Sequence, residues 1–199
     1  MSRPFREEET SVAAAESVAF ADQFQLTGAP PPSPNGRVLC ENLGIQIDRD
    51  GVWHYHGSPI RRKDLVCLFA SALRRDDAGR YWLVTPTEMG PIEVEDAPLL
   101  AVEVYQAGTG DRQTISLRTN VDEIVGVDAQ HPLYIKRCPH TGEPLPYLCL
   151  DRRLEARLTR SVYYHLAALG VESCIDGRPC LGLWSSGRLF PLGWLDEAS

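Results

Sequence analysis

The sequence predicts an α+β fold made of two related units, each with a small antiparallel sheet and one main helix. Many short apolar runs indicate strands, whereas only residues 61–75 and 153–169 have the period of a helix. Two helices are too few to supply the crossovers that a parallel sheet needs. A weak internal sequence repeat supports two units. Both helices are followed by a glycine turn and a strand, at residues 77–83 and 176–183.

Residues 1–36 differ in composition from the rest of the chain. They combine three consecutive glutamates, an alanine-rich stretch and a proline-rich run over residues 29–36. Because proline cannot continue a helix, we expect a short helix or flexible arm followed by an extended linker. We expect the remainder to divide into an N-terminal unit, residues 37–108, and a C-terminal unit, residues 109–199.

The N-terminal unit opens with a predicted hairpin and a predicted helix. Residues 45–47 and 52–56 alternate in polarity on either side of an Asp-Gly turn, which is a strong hairpin signal. Residues 61–75 carry apolar side chains three and four positions apart, so one face of this helix must cover a sheet or another helix. Residues 80–85 are predicted to form the next strand, which Pro86 ends.

The middle of the chain is predicted to form a series of short strands. They cover residues 92–95, 99–106, 112–119, 131–136 and 147–150. In the third of these, Ile115 and Leu117 alternate with polar residues, which is typical of a strand with one buried face.

The second predicted helix spans residues 153–169 and ends before Gly170. Its apolar positions fall on one side and would face the core: Leu154, Leu158, Val162, Leu166 and Leu169. Strands at residues 171–175, 179–184 and 189–192 would close the chain.

A row of arginines is predicted on another side of this helix. Arg153, Arg157, Arg160 and Tyr164 are spaced by four, three and four positions. Guanidinium groups bind phosphate and carboxylate in bidentate fashion, so this row of arginines is a candidate anion-binding site. The alternative is a solvated face paired with nearby acids such as Asp151.

Composition argues against several classes of function. Twenty basic and 27 acidic residues give a formal net charge of −7, which does not suit a protein that neutralises many nucleic-acid phosphates. The longest apolar run, residues 97–102, is far shorter than the roughly 20 residues of a membrane-spanning helix. No secretory signal, cysteine pair of the C-x-x-C type or glycine-rich cofactor motif is found in the sequence. We therefore expect a cytoplasmic protein with free thiols, no bound cofactor, and no membrane or nucleic-acid polymer as a partner.

Polar side chains stand at the ends of two predicted strands. Arg118 and Asn120 end one strand, and His131 opens the next. Loops at strand ends commonly collect groups that bind ligands, so Arg118 would project into a cleft. The alternative for Arg118 is a cross-strand ion pair.

The histidines offer a different kind of site. His54 and His56 are two apart on a predicted strand and therefore share a face. Together with His131 and Glu88 they would serve a metal- or carboxylate-assisted enzyme. The alternative to a metal site is that these histidines lie on an outward-facing strand surface. Residues 138–140 form another short cysteine–histidine cluster.

The chain resembles a known family through a series of short motifs. Three of them, at residues 53–60, 65–71 and 81–88, read WHYHGSPI, LVCLFAS and YWLVTPTE. Others follow at residues 94–98, 118–120, 131–132, 146–147, 154–157 and 183–185. Their order along residues 43–193 resembles the bacterial domain of unknown function family 1285.

That resemblance implies two related α+β units, the C-terminal one superficially like a pleckstrin-homology fold, with a ligand site where the units meet. It also implies a nucleotide-like ligand and a role in signalling. Cys67 departs from expectation, because it lies off the apolar stripe, at a helix position where a polar residue is expected.

The main hypothesis is therefore a regulatory or signalling module that holds an anionic, nucleotide-like small molecule between its two units. Eight side chains are expected to bind this ligand: Trp53, Arg62, Arg118, Asn120, His131, Tyr147, Arg157 and Arg160. Aromatic rings such as Trp53 or Tyr147 would pack on a flat group of the ligand. The alternatives are the histidine-based enzyme and a protein-interaction domain that uses a sheet edge or the acidic tail.

Overall fold

The computed structural model describes residues 37–138 and 142–197, which form an α+β fold with three sheets and two α-helices. The predicted arm and linker lie outside the described residues, and so do Pro139 and His140 of the short cysteine–histidine cluster. Within the described ranges, no helix is long and apolar enough to cross a membrane.

The first sheet contains seven strands and carries one helix. Its strands are β1 (Val38–Leu39), β2 (Ile45–Ile47), β3 (Trp53–Tyr55), β4 (Ser58–Pro59), β5 (Leu73–Arg75), β6 (Tyr81–Val84) and β7 (Glu88–Val94). They lie in the order β4-β3-β2-β7-β6-β5, with β1 also paired to β7. Helix α1, Lys63–Ala72, connects β4 to β5. The predicted hairpin of β2 and β3 is confirmed.

The second sheet repeats the strand order of the first. Its strands are β8 (Leu99–Ala107), β9 (Thr114–Thr119), β10 (Ile124–Gly126), β11 (Leu133–Arg137), β12 (Pro144–Cys149) and β13 (Glu155–Leu158). They lie in the order β10-β9-β8-β13-β12-β11. Adding six to each strand number in the first sheet's order, β4-β3-β2-β7-β6-β5, gives this order. The central pairs β2–β7 and β8–β13 are both parallel. The prediction of antiparallel sheets is therefore wrong at the centre of each large sheet, where two antiparallel groups of three strands join through a parallel pair, and also at β1, which pairs parallel with β7.

A small third sheet ends the described chain. Helix α2, Arg160–Ala168, leads into β14 (Val171–Ile175), β15 (Arg178–Ser185) and β16 (Arg188–Trp194), which pair in that order. Strand β16 lies against β11 of the second sheet. The three predicted C-terminal strands are thus confirmed.

The second predicted helix is wrong over its first half. Residues Asp151–Arg153 form a 3-10 turn and Glu155–Leu158 form strand β13, so the helix begins only at Arg160. Leu154 and Leu158 are four apart, a spacing that fits one face of a helix and equally one face of a strand. Pairing on both sides, with β8 and β12, decides for the strand. The predicted row of arginines along one helix face therefore does not exist.

The first helix is also shorter than predicted. It ends at Ala72, and the residues that follow it form β5, which pairs with β6. On the buried side of the helix, Phe69 stacks against Trp53 of β3 with ring centroids 5.9 Å apart. Trp53 is only 1% exposed, so this contact forms part of the core between α1 and the first sheet.

Asp76 holds the turn between β5 and β6 and makes the stability of this hairpin depend on pH. Its carboxylate accepts hydrogen bonds from Trp82 Nε1 and Arg80 Nε, both at 2.9 Å. The hydrogen bond from Trp82 is the largest single cause, and together with the hydrogen bonds and the charge of Arg80 it lowers the pKa of Asp76 from 3.8 to about 2. A depressed pKa stabilises the fold above the unfolded-state pKa, and that contribution is lost as pH falls through the folded-state value.

We expect Asp76→Asn to weaken the dependence of stability on pH between pH 3.8 and about 2. The measurement is urea unfolding at a series of pH values, with Asp50→Asn in the turn of the β2–β3 hairpin as the control. An equal change in both variants would contradict the role of Asp76.

Candidate functional site

Charged and phenolic side chains gather where the first sheet meets the second, and we call them the seam cluster. Its eight members are Arg75, Tyr81, Asp96, Tyr134, Lys136, Tyr147, Glu155 and Arg157. The first three belong to the first sheet and the segment after it, and the other five lie on β11, β12 and β13. The cluster therefore joins parts of the chain that are far apart in sequence.

Glu155 is the centre of one half of the seam cluster. Its carboxylate is 3% exposed, and Lys136 Nζ donates to both of its oxygens at 2.5 and 2.6 Å. The hydroxyls of Tyr134 and Tyr81 also donate to it, the latter at 3.5 Å. Arg75 Nη1 lies 4.0 Å away, which is beyond hydrogen-bond distance. A buried carboxylate with this many donors is well compensated for its loss of water.

The phenols of this half stay protonated. Burial, followed by the negative charge of Glu155, raises the pKa of Tyr81. Burial and the hydrogen bond to Glu155 likewise raise the pKa of Tyr134. Both hydroxyls are therefore protonated at neutral pH and act as hydrogen-bond donors to Glu155.

Asp96 is the centre of the other half. Tyr147 Oη donates to Asp96 Oδ1 at 2.6 Å, and Arg157 Nε lies 2.8 Å from Asp96 Oδ2. Arg157 also donates to the backbone carbonyl of Arg49 in the β2–β3 turn. Burial and the bond to Asp96 raise the pKa of Tyr147. These contacts tie β12 and β13 to the first sheet.

The two halves of the seam cluster touch through aromatic rings. Tyr134 and Tyr147 stack with centroids 5.9 Å apart, and Lys136 Nζ lies 4.6 Å from the centroid of Tyr147. Across the whole cluster three cations face two carboxylates, so it carries one positive charge in excess. Its ammonium, guanidinium and phenol groups are all hydrogen-bond donors, which is the chemistry that recognition of an anion requires.

A cleft of about 280 Å³ opens at a second place on the seam, between α1 and the second sheet. Leu99, Leu150 and Leu154 form part of its lining, together with the acidic Asp122, Glu123 and Asp151. Cys67 also lines it, with Sγ 3.5 Å from the carbonyl oxygen of Val121. The acidic lining makes this cleft a poor place for an anion.

Arg118 and Asn120 both have structural partners. Arg118 Nη2 lies 2.6 Å from Glu103 on β8, and Nη1 lies 2.7 Å from Asp122, so the alternative of a cross-strand ion pair is confirmed. Asn120 accepts from the backbone N–H of Leu100 and donates to the carbonyl of Gly51. Arg118 thus pairs with Asp122 of the cleft lining, and its charge is already balanced.

His131 and Trp53 are also engaged within the fold. The two ring nitrogens of His131 lie 3.3 Å from Asp128 and 3.4 Å from Asp151. Trp53 faces Phe69 in the core, so its ring is not available to a ligand, contrary to the stacking role predicted for it.

Arg62 and Arg160 lie apart from the seam cluster. Arg62 is the exposed N-cap residue of α1, and Arg160 is the exposed first residue of α2. The expected convergence of guanidinium groups on one hollow is therefore wrong. Of the eight predicted residues, Tyr147 and Arg157 are the two that the seam cluster brings together.

The histidines predicted for an enzyme site do not form a metal centre. His54 Nε2 pairs with Asp48 at 3.0 Å, and the His56 ring lies beside Gly44, which has no side chain to fill that space. Across residues 37–138 and 142–197, no group of three metal-ligating side chains is present.

Six of the eight residues of the seam cluster were not among the site residues predicted from the sequence: Arg75, Tyr81, Asp96, Tyr134, Lys136 and Glu155. Tyr134 and Lys136 alternate along β11, and Glu155 and Arg157 alternate along β13, so each pair shares a strand face. This alternation is the sequence signal that could have identified them. The mistaken helix over residues 153–169 concealed the alternation along β13. Arg75 and Tyr81 come together only because β5 pairs with β6, which places the two residues opposite each other.

Comparisons with known proteins agree on one family. A model described as the DUF1285 N-terminal domain, of unknown function, matches residues 33–97. The model of the DUF1285 C-terminal domain, also of unknown function, matches residues 98–192. No curated protein matches the chain.

Two solved structures are similar to this chain. A DUF1285 family protein from Silicibacter pomeroyi is 38% identical, with a TM-score of 0.75 over 91% of this chain and 96% of that one. A DUF1285 family protein from Shewanella baltica is 30% identical, with a TM-score of 0.52 over 65% of this chain and 94% of that one. The resemblance seen in the sequence motifs is thereby confirmed, and the chain belongs to the DUF1285 family.

Proposed function

We propose that this protein is a regulatory ligand-binding module whose seam cluster holds a small anion of the phosphate or nucleotide kind. The observation that carries the proposal is the excess positive charge of the seam cluster in a chain whose formal net charge is −7. Both large sheets contribute to the cluster, so an anion bound there would change the strength of the contact between them. Such a coupling is what a regulatory module requires.

Arg75 is the cation best placed to receive the ligand. Lys136 already occupies both oxygens of Glu155, whereas Arg75 lies 4.0 Å from that carboxylate. The side chains of Arg75 and Lys136 are 31% and 40% exposed, so an anion in solution can reach both. A guanidinium beside an ammonium is a common arrangement for binding a phosphate group.

The proposal treats the chain as two related α+β units that meet at the seam, the C-terminal one superficially like a pleckstrin-homology fold. The equal strand order of the first and second sheets supports the relation between the units. It also supports a division between β7 and β8, at residues 95–98, in place of one after residue 108, since β8 pairs with β9 and β13.

We expect inorganic phosphate or AMP to raise the melting temperature of the full chain. At a ligand concentration near one hundred times Kd, the shift is about 5–10 °C for a protein of this size. Arg75→Gln should abolish the shift, because it removes the cation of the seam cluster whose ion pair is the longest. Arg160→Gln, an exposed arginine on α2, is the matched control and should keep the shift.

Three other outcomes of this experiment would contradict the proposal. A shift with zinc or manganese alone would favour the histidine-based enzyme. No shift with any of these probes would favour a protein-interaction domain. An equal loss of the phosphate shift in both arginine variants would mean that the anion binds through general surface charge.

A further inference from the structure

The outer edge of β14 is an open sheet edge whose one charged side chain is Glu172. Among the described residues, β14 pairs only with β15, and its five residues include no proline, lysine or arginine. Such residues normally keep edge strands from pairing with other chains. Val171 is 44% exposed at the start of this strand.

The other sheet edges differ from β14. Strand β4 has two residues and ends in Pro59, β5 has three residues and carries two arginines, and β10 has three residues. Strand β11 lies against β16. In the described ranges, β14 is thus the longest edge strand that none of these features protects.

The hairpin geometry determines which backbone groups of β14 point outward. Asp176 and Gly177 form a two-residue loop with φ angles of 52° and 81°, as in a type I′ turn. This turn makes Ile175 and Arg178 a hydrogen-bonded pair, and such pairs alternate along an antiparallel ladder. The N–H and C=O groups of Glu172 and Cys174 therefore point away from β15.

The partner across the hairpin agrees with this assignment. Cys174 lies opposite Pro179, which has no N–H to donate, so a hydrogen-bonded pair is excluded at that position. The outward groups of Glu172 and Cys174 are separated by one residue, which is the spacing at which a further antiparallel strand makes its hydrogen bonds.

We propose that β14 pairs antiparallel with β14 of a second copy of this chain, about a two-fold axis through Ser173. The resulting continuous sheet contains six strands, three from each copy. In this register Glu172 lies opposite Cys174 of the second copy, and these are the residues whose backbone groups point outward. Val171 lies opposite Ile175 of the second copy, an apolar β-branched pair that occurs twice.

Charge favours this register over the two registers whose two-fold axis passes through the adjacent residue, Glu172 or Cys174. An axis through Glu172 would place two glutamates directly opposite each other. An axis through Cys174 would place Glu172 opposite Asp176. Like charges at paired positions destabilise a sheet, whereas the register centred on Ser173 has none. The edge is therefore complementary to itself, as an interface with two-fold symmetry requires.

A cysteine placed at position 172 tests the register directly. In Glu172→Cys the new thiol faces Cys174 of the second copy in a hydrogen-bonded pair, with Cα atoms about 5.5 Å apart. This separation suits a disulfide, so oxidised glutathione should convert the full chain into a covalent dimer linked between positions 172 and 174. Peptide mass mapping identifies the linked cysteines.

Two controls accompany this variant. The wild-type chain has Cys174 opposite Glu172, and the double variant Glu172→Cys/Cys174→Ser lacks the second thiol, so neither should link at this edge. No covalent dimer in Glu172→Cys, or one linked through other cysteines, overturns the proposal.

The oligomeric state provides an independent test. Light scattering of the wild-type chain should show a mass that rises with concentration from 22.1 kDa towards twice that value. Cys174→Pro removes an outward N–H without removing a hydrogen bond to β15, so it should stay at the lower mass. A wild-type mass that stays at 22.1 kDa at every concentration, or a proline variant that still dimerises, overturns the proposal.

Discussion

Replacing Trp53 with alanine is expected to lower the free energy of unfolding by about 3–5 kcal/mol, because it removes a large, fully buried side chain. Trp53 is 1% exposed and stacks on Phe69, which joins β3 to α1. The measurement is urea unfolding of the full chain followed by circular dichroism. A loss of less than about 1 kcal/mol would mean that the site collapses easily or that the indole is not packed.

Trp53→Phe is the matched variant for this prediction. The indole nitrogen of Trp53 is buried and has no hydrogen-bond partner among the described residues. A phenyl ring keeps the contact with Phe69 and removes that unsatisfied donor, so the loss should be much smaller than for alanine. An equal loss in both variants would show that a phenyl ring does not replace the packing of the indole, which would contradict the argument from the contact with Phe69.

The second large effect is expected at the seam cluster. Lys136→Met should lower the free energy of unfolding by about 3 kcal/mol, since it leaves the buried carboxylate of Glu155 without the ammonium that now contacts both of its oxygens. The donors that remain are the hydroxyls of Tyr81 and Tyr134, and Arg75 lies 4.0 Å away without a hydrogen bond to Glu155. Methionine preserves most of the volume, so the loss of charge is the main change.

A double variant separates the charge from the packing. Lys136→Met/Glu155→Gln has no buried charge at this position and keeps an acceptor for the Tyr134 hydroxyl. We expect it to recover most of the stability that Lys136→Met loses. If the double variant is as unstable as the single one, the loss comes from packing of the lysine chain and the argument about Glu155 is wrong.

Much of the local structure could be read from the sequence because it depends on nearby residues. The β2–β3 hairpin follows from an Asp-Gly turn between alternating residues, and the β14–β15 hairpin follows from Asp176-Gly177. The amphipathic character of α1 was also evident: Phe69 of its predicted apolar stripe is buried, whereas Leu68 of the same stripe is 39% exposed.

Side-chain partners were harder to predict because they depend on strand register. The alternation along β9 placed Arg118 on the polar face, but its partner Glu103 lies on β8 beyond a register shift between Ala101 and Glu103. No spacing in the sequence encodes such a shift. The ion pair could therefore be offered only as an alternative to a role in ligand binding.

The sequence alone determined the family, the α+β class and the elements whose signals are short-range, such as hairpins, glycine turns and the amphipathic face of α1. Only the tertiary structure decided that residues 155–158 are a strand, because the spacing of Leu154 and Leu158 fits both periods and the pairing with β8 and β12 settles the choice. The same decision places Glu155 and Arg157 on the seam. The seam cluster thus follows from contacts between distant segments, whose energies no local pattern contains.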